Sequence, residues 1–258
     1  MFGRVPVALF AVGVVAMIGA ACSTPYSAAE AGPSPDPSPD PRQNDAGTLV
    51  PVEGGGDGKS DGLVDAGRGP YREVVLADGP VAYWLLAETG GLVAVDETAN
   101  DLDAAYGTCS LGVPGPFAGS SAVELDGTCE IRAPRIDFAG RDAFTLEIWA
   151  KPSVTSTSHL RLFGHGINDG EGYHHFGIYL RDPVGAVLER SIASNILVAS
   201  SPAPPVGEWV YVVGVYDGSI LALYVNGAVV AETADARPQK AKDTPLWIGS
   251  NGGENFFR

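Results

Sequence analysis

Basic residues are scarce in this chain, and no block of them occurs anywhere. Sixteen Lys and Arg stand against 31 Asp and Glu, for a formal charge of -15. Binding to a phosphate backbone needs a Lys/Arg footprint, so the composition argues against nucleic acid as a partner and leaves neutral or cationic partners open. Cysteine is rare, at three residues, and His numbers four. No Cys-x-x-Cys pair, no phosphate-cradling Gly-rich loop ending in Lys and no Ser-His-Asp order occurs, which removes the common redox, nucleotide and nucleophile signatures. Beyond residue 71 apolar residues nowhere recur at helical period over a useful length, which excludes an α-rich fold.

The long apolar run that does occur lies at the start. Arg4 supplies a short positive end, residues 5–18 are apolar, and Gly19, Ala20 and Ala21 precede Cys22. The run is short for a membrane span, and small residues follow it at once, which favours cleavage over anchoring. Residues 1–22 therefore read as an export leader. The Cys directly after small residues resembles a bacterial lipoprotein signal, in which Cys22 becomes the lipidated first residue. Gly19 stands where that pattern prefers Leu or Val, and an ordinary secretory leader cut near Ala21 is the alternative. Several acyl chains anchor stably where one holds only marginally. With Cys22 lipidated, Cys109 and Cys129 remain as a pair in an oxidising compartment, where a disulfide is the default and two buried thiols the alternative. Closing that loop stabilises by about 3 kcal/mol in the chain-entropy model.

Residues 23–70 change in composition. Pro-Ser-Pro-Asp repeats, a Gly-rich stretch near Gly54 and few apolar residues cannot repay the entropy of ordering, so the segment reads as a disordered tether. Residues 71–258 read as one folded domain. Short β-branched and aromatic runs recur at 81–86, 122–125, 128–133, 144–151, 160–165, 175–180, 187–192 and 246–248, broken by Gly, Pro, Asp and Asn. Three more follow in succession from 209 to 232, separated by Asp217-Gly218 and Asn226-Gly227, residues that tolerate the positive φ of tight hairpins. Phe144, Leu146, Ile148 and Ala150 alternate with Thr145, Glu147, Trp149 and Lys151, which predicts one core face and one largely solvated face. The pattern predicts an all-β, antiparallel two-sheet sandwich of jelly-roll type.

Tyr83-Trp84-Leu85-Leu86 with Glu88, then Ser121 to Gly127, resemble the opening of a laminin-G-like domain of the concanavalin A-like lectin/glucanase group. So do Phe144 to Pro152, Trp209 to Gly218, Leu223 to Gly227 and Pro245-Leu246-Trp247-Ile248-Gly249. The resemblance covers about residues 71–258, in the family's order. It implies a jelly roll at a cell surface or in the periplasm that binds glycan or glycoprotein without catalysis, often with calcium. Bacterial members follow Pro-Leu-x-Ile-Gly with Gly-x-Ile-Asp-Glu-Val, a last strand pairing near the first. That segment is missing here, which reads as truncation and predicts unpaired backbone beside the first strand; a sandwich that closes differently is the alternative.

Several constellations bear on chemistry. Hydrolases of this fold carry Glu-x-Asp-x-x-Glu or Glu-x-Asp-x-Glu on one strand. Here Glu124, Asp126 and Glu130 are spaced differently, with a turn at Asp126-Gly127, so a hydrolase is the alternative reading and a non-functional fragment a further one. The oxygen-rich loop 96–103 suits a hard cation, and the resemblance matches Asp96 and Asn100 to a structural calcium; a polar loop closed by its own hydrogen bonds is the alternative. His165, His174 and His175 suggest a metal only weakly, because adjacent strand residues face opposite ways. Tyr173, Phe176, Tyr179 and residues 251–257 are candidates for a sugar-stacking surface, though residues of each kind are more often core or edge positions.

Overall fold

The computed structural model describes residues 10–17, 70–136, 143–166, 173–193, 195–237, 245–250, 252 and 257, with 10–17, 70, 173–175, 193 and 195–199 described by backbone alone. Cys22 and residues 23–69 of the tether lie outside the described residues. The elements in chain order are β1 (Phe10–Met17), α1 (Pro70–Ala77), β2 (Ala82–Trp84), β3 (Val93–Ala94), β4 (Ala104–Tyr106), β5 (Ser110–Pro114), β6 (Ser121–Glu124), β7 (Ile131–Ala133) and β8 (Phe144–Ala150). There follow β9 (Leu160–His165), β10 (Tyr173–Arg181), β11 (Gly185–Ala193), β12 (Asn195–Ser200), β13 (Val210–Tyr216), β14 (Ile220–Val225), β15 (Ala228–Ala234) and β16 (Leu246–Ile248).

Two antiparallel sheets form. The first runs β15-β14-β13-β8-β1-β6-β5, with β2 also on β1; the second runs β12-β11-β10-β9-β16-β7-β4-β3. The expected sandwich is present. Asn226 and Gly227 turn the β14–β15 hairpin at φ 50° and 83°, and Asp217 caps the preceding turn by accepting from the amides of Ser219 and Ile220. Between the sheets, Leu146, Ile148, Val212 and Leu223 pack in one buried cluster with Phe163, Phe176, Ile178 and Leu188. The approach is close at Gly214, where a Cβ would stand 2.6 Å from the Leu188 side chain, so an added side chain would push Leu188 aside. Cys109 and Cys129 form the expected disulfide, with Cα atoms 5.2 Å apart.

Three expectations are corrected. The chain does contain a helix, α1. Pro70 starts it where a missing N–H costs nothing, Glu73 sits in its first turn, and Gly79 at φ 66° follows its end. The face of β8 expected in solvent is buried, Glu147 to 7% exposure and Trp149 to 6%. Helix α1 covers that side: Val75 packs with Tyr83 and Leu85, and Tyr71 accepts a 3.0 Å hydrogen bond from Trp149 Nε1. Third, the backbone beside β2 has a partner. Phe10–Met17, inside the sequence-read leader, pairs with β2, β6 and β8.

Candidate functional site

Glu124 ends β6 in the first sheet, while Glu130 precedes β7 in the second and accepts from the Ser250 hydroxyl. Between them Asp126 closes a turn, accepting from Thr128 N and Oγ1 at 2.8 and 2.7 Å and from Cys129 N at 3.2 Å. Those bonds hold its carboxyl below the usual range. The three acids are divided among two sheets and a turn, not presented on one strand.

Asp96 is buried, and its carboxylate is already full. Oδ1 accepts from Tyr83 N at 2.9 Å and Thr98 N at 3.1 Å; Oδ2 accepts from Thr98 Oγ1 at 2.7 Å and Leu102 N at 2.9 Å. Asn100 donates through Nδ2 to Val81 O at 2.9 Å. A carboxylate offers about four lone-pair directions, and all four are taken by protein donors. Asp96 and Asn100 in this arrangement do not fit a calcium ion; they close the loop onto β2 instead. Among the described residues no group of three His, Cys, Asp or Glu side chains is placed to hold a metal. The unfolding midpoint of the purified protein is accordingly expected to be the same in millimolar calcium and in chelator. A calcium-raised midpoint in differential scanning calorimetry would contradict this, since a ligand of the native state must raise it.

The aromatic candidates do not form an exposed surface together. Phe176 and Phe257 are core residues at 0% exposure. His165 is buried on the same inner face as Phe176, its ring stacked 4.7 Å away. The side chains of Tyr173, His174 and His175, and residues 251 and 253–256, lie outside the described residues. Among the described side chains, Tyr179 is the candidate on the outer face; it is buried there and belongs to a larger constellation.

That constellation spans the outer face of the second sheet. Cross-strand register aligns Val93, Ala105, Arg132, Trp247, Gly164, Gly177 and Glu189 in one row across seven strands. Paired residues of antiparallel strands share a face, so these positions lie side by side. Trp247 is half-buried, with inward-facing Leu246 and Ile248 on either side. Two glycine positions follow it. At Gly177 a Cβ would stand 2.9 Å from Arg161 Nη1, so the missing side chain is what admits the guanidinium. Arg161 lies 4.9 Å over the Tyr179 ring and 3.3 Å from Glu189 Oε2, and its buried Nε has no hydrogen-bond partner. His159 meets Tyr179 edge-on at 4.4 Å; burial, then the charge of Arg161, lowers its pKa. On the other side of Trp247, Arg132 is exposed and borders a shallow cavity of about 420 Å³ with Val93, Asp103, Arg135 and Pro245.

Sequence reasoning quoted Trp247 only as the variable position of a strand motif. The signal was present, because alternation about Leu246 and Ile248 points it outward. Its neighbours Arg132, Gly164 and Gly177 come from three other strands and are joined to it only by the fold. Chemically the row offers a half-buried indole, an exposed guanidinium at Arg132, a low glycine floor and, beyond it, a buried Arg161–Glu189 pair beside Tyr179.

The two-sheet jelly roll is a fold shared by lectins and glycan hydrolases. Residues 125–258 match the laminin G profile described as the concanavalin A-like lectin/glucanases superfamily, and the chain belongs to that family. Among solved structures it is similar to domain 4 of AbnA, an extracellular arabinanase of Geobacillus stearothermophilus, in complex with arabinotriose. That likeness is 19% identity over 60% of this chain and 77% of the other, at a TM-score of 0.46. The binding domain of botulinum neurotoxin DC, in complex with SialylT, is 10% identical over 63% of this chain and 41% of its own, at 0.48. Domains LG4-5 of the mouse laminin α1 chain are 11% identical over 48% and 32%, at 0.36. No curated protein matches the chain. Among the described residues no helix is long and apolar enough to cross a membrane.

Proposed function

We propose that this chain is an exported, lipid-anchored module that binds glycan, free or on a glycoprotein, without cleaving it. The observation that carries the reading is the row Arg132–Trp247–Gly164–Gly177–Glu189 on the outer face of the second sheet. A sugar ring has an apolar face that stacks on an indole and a rim of hydroxyls that take charged donors and acceptors. Trp247 supplies the first, and Arg132, Arg161 and Glu189 supply the second. Arg161 retains an unused Nε donor beside the ring. Export and anchoring rest on residues 1–22, with Cys22 carrying the lipid and no other contact with the bilayer. Hydrolysis fits less well, because it needs two carboxylates at one bond. Glu189 is engaged by Arg161, and Glu124, Asp126 and Glu130 do not share a strand.

Titration of the full chain against a panel of neutral and acidic oligosaccharides tests this. Trp247→Ala is expected to weaken binding by about tenfold or more, or at least ~1.4 kcal/mol. Arg132→Ala, an exposed change that leaves folding intact, is expected to weaken it by a smaller factor. Unaltered affinity in both variants would remove the face from the hypothesis. Release of new reducing ends by wild-type protein would move the chain to the hydrolases.

A further inference from the structure

The outer face of the second sheet is opposite in sign to the whole chain, whose formal charge is -15. Arg132 on β7, Arg161 on β9 and Arg181 on β10 alternate with the inward Ile131, Leu160 and Leu180, so all three side chains leave the core on this face. Among the described side chains at outward positions from β7 to β11, the one carboxylate is Glu189, and Arg161 engages it at 3.3 Å. The other two arginines are exposed. Arg181 donates from Nε to the Thr157 carbonyl at 3.0 Å. The Arg132 guanidinium enters no ion pair or hydrogen bond among the described residues.

The cavity of about 420 Å³ beside Arg132 adds Arg135 as a second guanidinium, with Ala104, Ala105, Ala133 and Pro134 as an apolar lining. Asp103 is the acid on that lining, and its Oδ1 already accepts from Asp96 N at 2.8 Å. Two guanidiniums against one carboxylate leave positive charge in excess. Arg132 stands directly opposite Trp247 in the β7–β16 ladder, which places their Cβ atoms about 5 Å apart. The indole is pinned by Gly252, where a Cβ would stand 3.2 Å from Trp247 Cζ2.

We propose that the glycan taken by this face is acidic, and that its carboxylate or sulfate lies in the cavity between Arg132 and Arg135. The proposal rests on the glycan reading above and names the class of sugar. A guanidinium fork matches either anion with two parallel N–H donors, which a neutral hydroxyl cannot use as fully. The spacing puts the anionic group on the unit stacked on Trp247 or on its immediate neighbour. The total charge of the chain does not oppose this. Screening confines each charge to about 8 Å at physiological ionic strength, so the local sign governs the contact.

The test titrates the full chain with two matched pairs: hexagalacturonate against its methyl ester, and sulfated maltohexaose against maltohexaose. The first pair reads a carboxylate and the second a sulfate. The acidic member of at least one pair is expected to bind tenfold or more tighter than its neutral counterpart, and to lose that advantage as salt is raised. Arg132→Gln is expected to cut the acid-to-neutral ratio to below about threefold with its unfolding midpoint unchanged. Trp247→Ala is expected to weaken both members of a pair by a similar factor, because the indole reads the ring and not the charge. Neutral members that bind as tightly as acidic ones would overturn the proposal and leave the glycan reading standing. So would a ratio unmoved by Arg132→Gln, or displacement of the acidic sugar by an equal concentration of inorganic sulfate, which would show a site for bare anions. Absence of binding to all four sugars would overturn the proposal together with the reading it rests on.

Discussion

Asp235→Ala is expected to lower the unfolding free energy by about 3–5 kcal/mol, the usual cost of breaking one side of a buried ion pair. The partner is Arg190, at 0% exposure, whose guanidinium bonds the Asp235 carboxylate. It also lies 4.0 Å over the Tyr216 ring and donates to the Arg237 carbonyl, to which the Tyr216 hydroxyl donates at 2.7 Å. Asp235 holds Arg237 as well, through Nε at 2.8 Å. Burial pushes the Asp235 carboxyl up, but the hydrogen bonds from Arg237 and the charge of Arg190 outweigh it and leave its pKa below the usual range. Removing the carboxylate strands a cation between the sheets, which is why the effect is large. Arg190→Met with Asp235→Leu is expected to lose much less than either single change, because the buried guanidinium goes together with its carboxylate and only the partly exposed Arg237 gives up a bond. Urea unfolding of the single and double variants measures this; a single-variant loss under 1 kcal/mol would sink the argument.

The second large effect concerns pH. Stability is expected to fall by about 3 kcal/mol as pH rises from about 4.5 to about 7, and to flatten above that. Glu147 lies beneath α1, and burial raises its pKa from 4.5 to about 7, with the Tyr211 hydroxyl bond opposing and the charge of Asp78 assisting. A carboxyl whose folded pKa is raised binds its proton more tightly in the folded state. Its stabilising contribution is therefore complete below the unfolded pKa and lost as pH climbs through the folded one. The other groups facing it are Tyr71, Tyr83 and Tyr211, all raised by burial and neutral in this window. Asp126, Asp217 and Asp235 are lowered and titrate beneath it. Glu147→Gln is expected to abolish most of the slope and to be more stable than wild type at pH 8. Thermal midpoints of both proteins from pH 4 to 9 decide the matter: parallel profiles would refute the assignment.

Much of the sandwich was legible because its strands are dictated locally. The β13–β14–β15 meander declares itself through Asp217-Gly218 and Asn226-Gly227, and β8 through alternation. Two unread strands carry apolar runs: Asn195–Ser200, which no strand reading covers, and Phe10–Met17, which reads as part of a leader. Three others lack a local signature. Val93–Ala94 and Ala104–Tyr106 are too short to show a period, and Ser110–Pro114 contains Gly112 and ends in proline. The burial of Glu147 and Trp149 was illegible for a different reason: their cover is Tyr71 and Val75, more than 70 residues upstream, and no window along the chain joins them. The candidate face was half legible. Trp247 could be placed outward from its own strand, but Arg132, Gly164 and Gly177 become its neighbours only through long-range pairing. Asp96 was read for its chemistry and not for its surroundings, where four protein donors had already claimed it.

Helix α1 has one more consequence, mechanical in kind. It is the first described element after residues 23–69, and it is seated on the first sheet through Tyr71 and Val75. Trp247 and Arg132 belong to the second sheet, on its opposite face. Any load transmitted along the chain from an anchored N-terminus arrives at Pro70 and is taken up by the back of the sandwich, in the aromatic packing of Tyr71, Phe117 and Trp149. Were the chain anchored and its outer face loaded as proposed, drag on a bound ligand would strain the grip at α1 before it bent the strands that bear the indole.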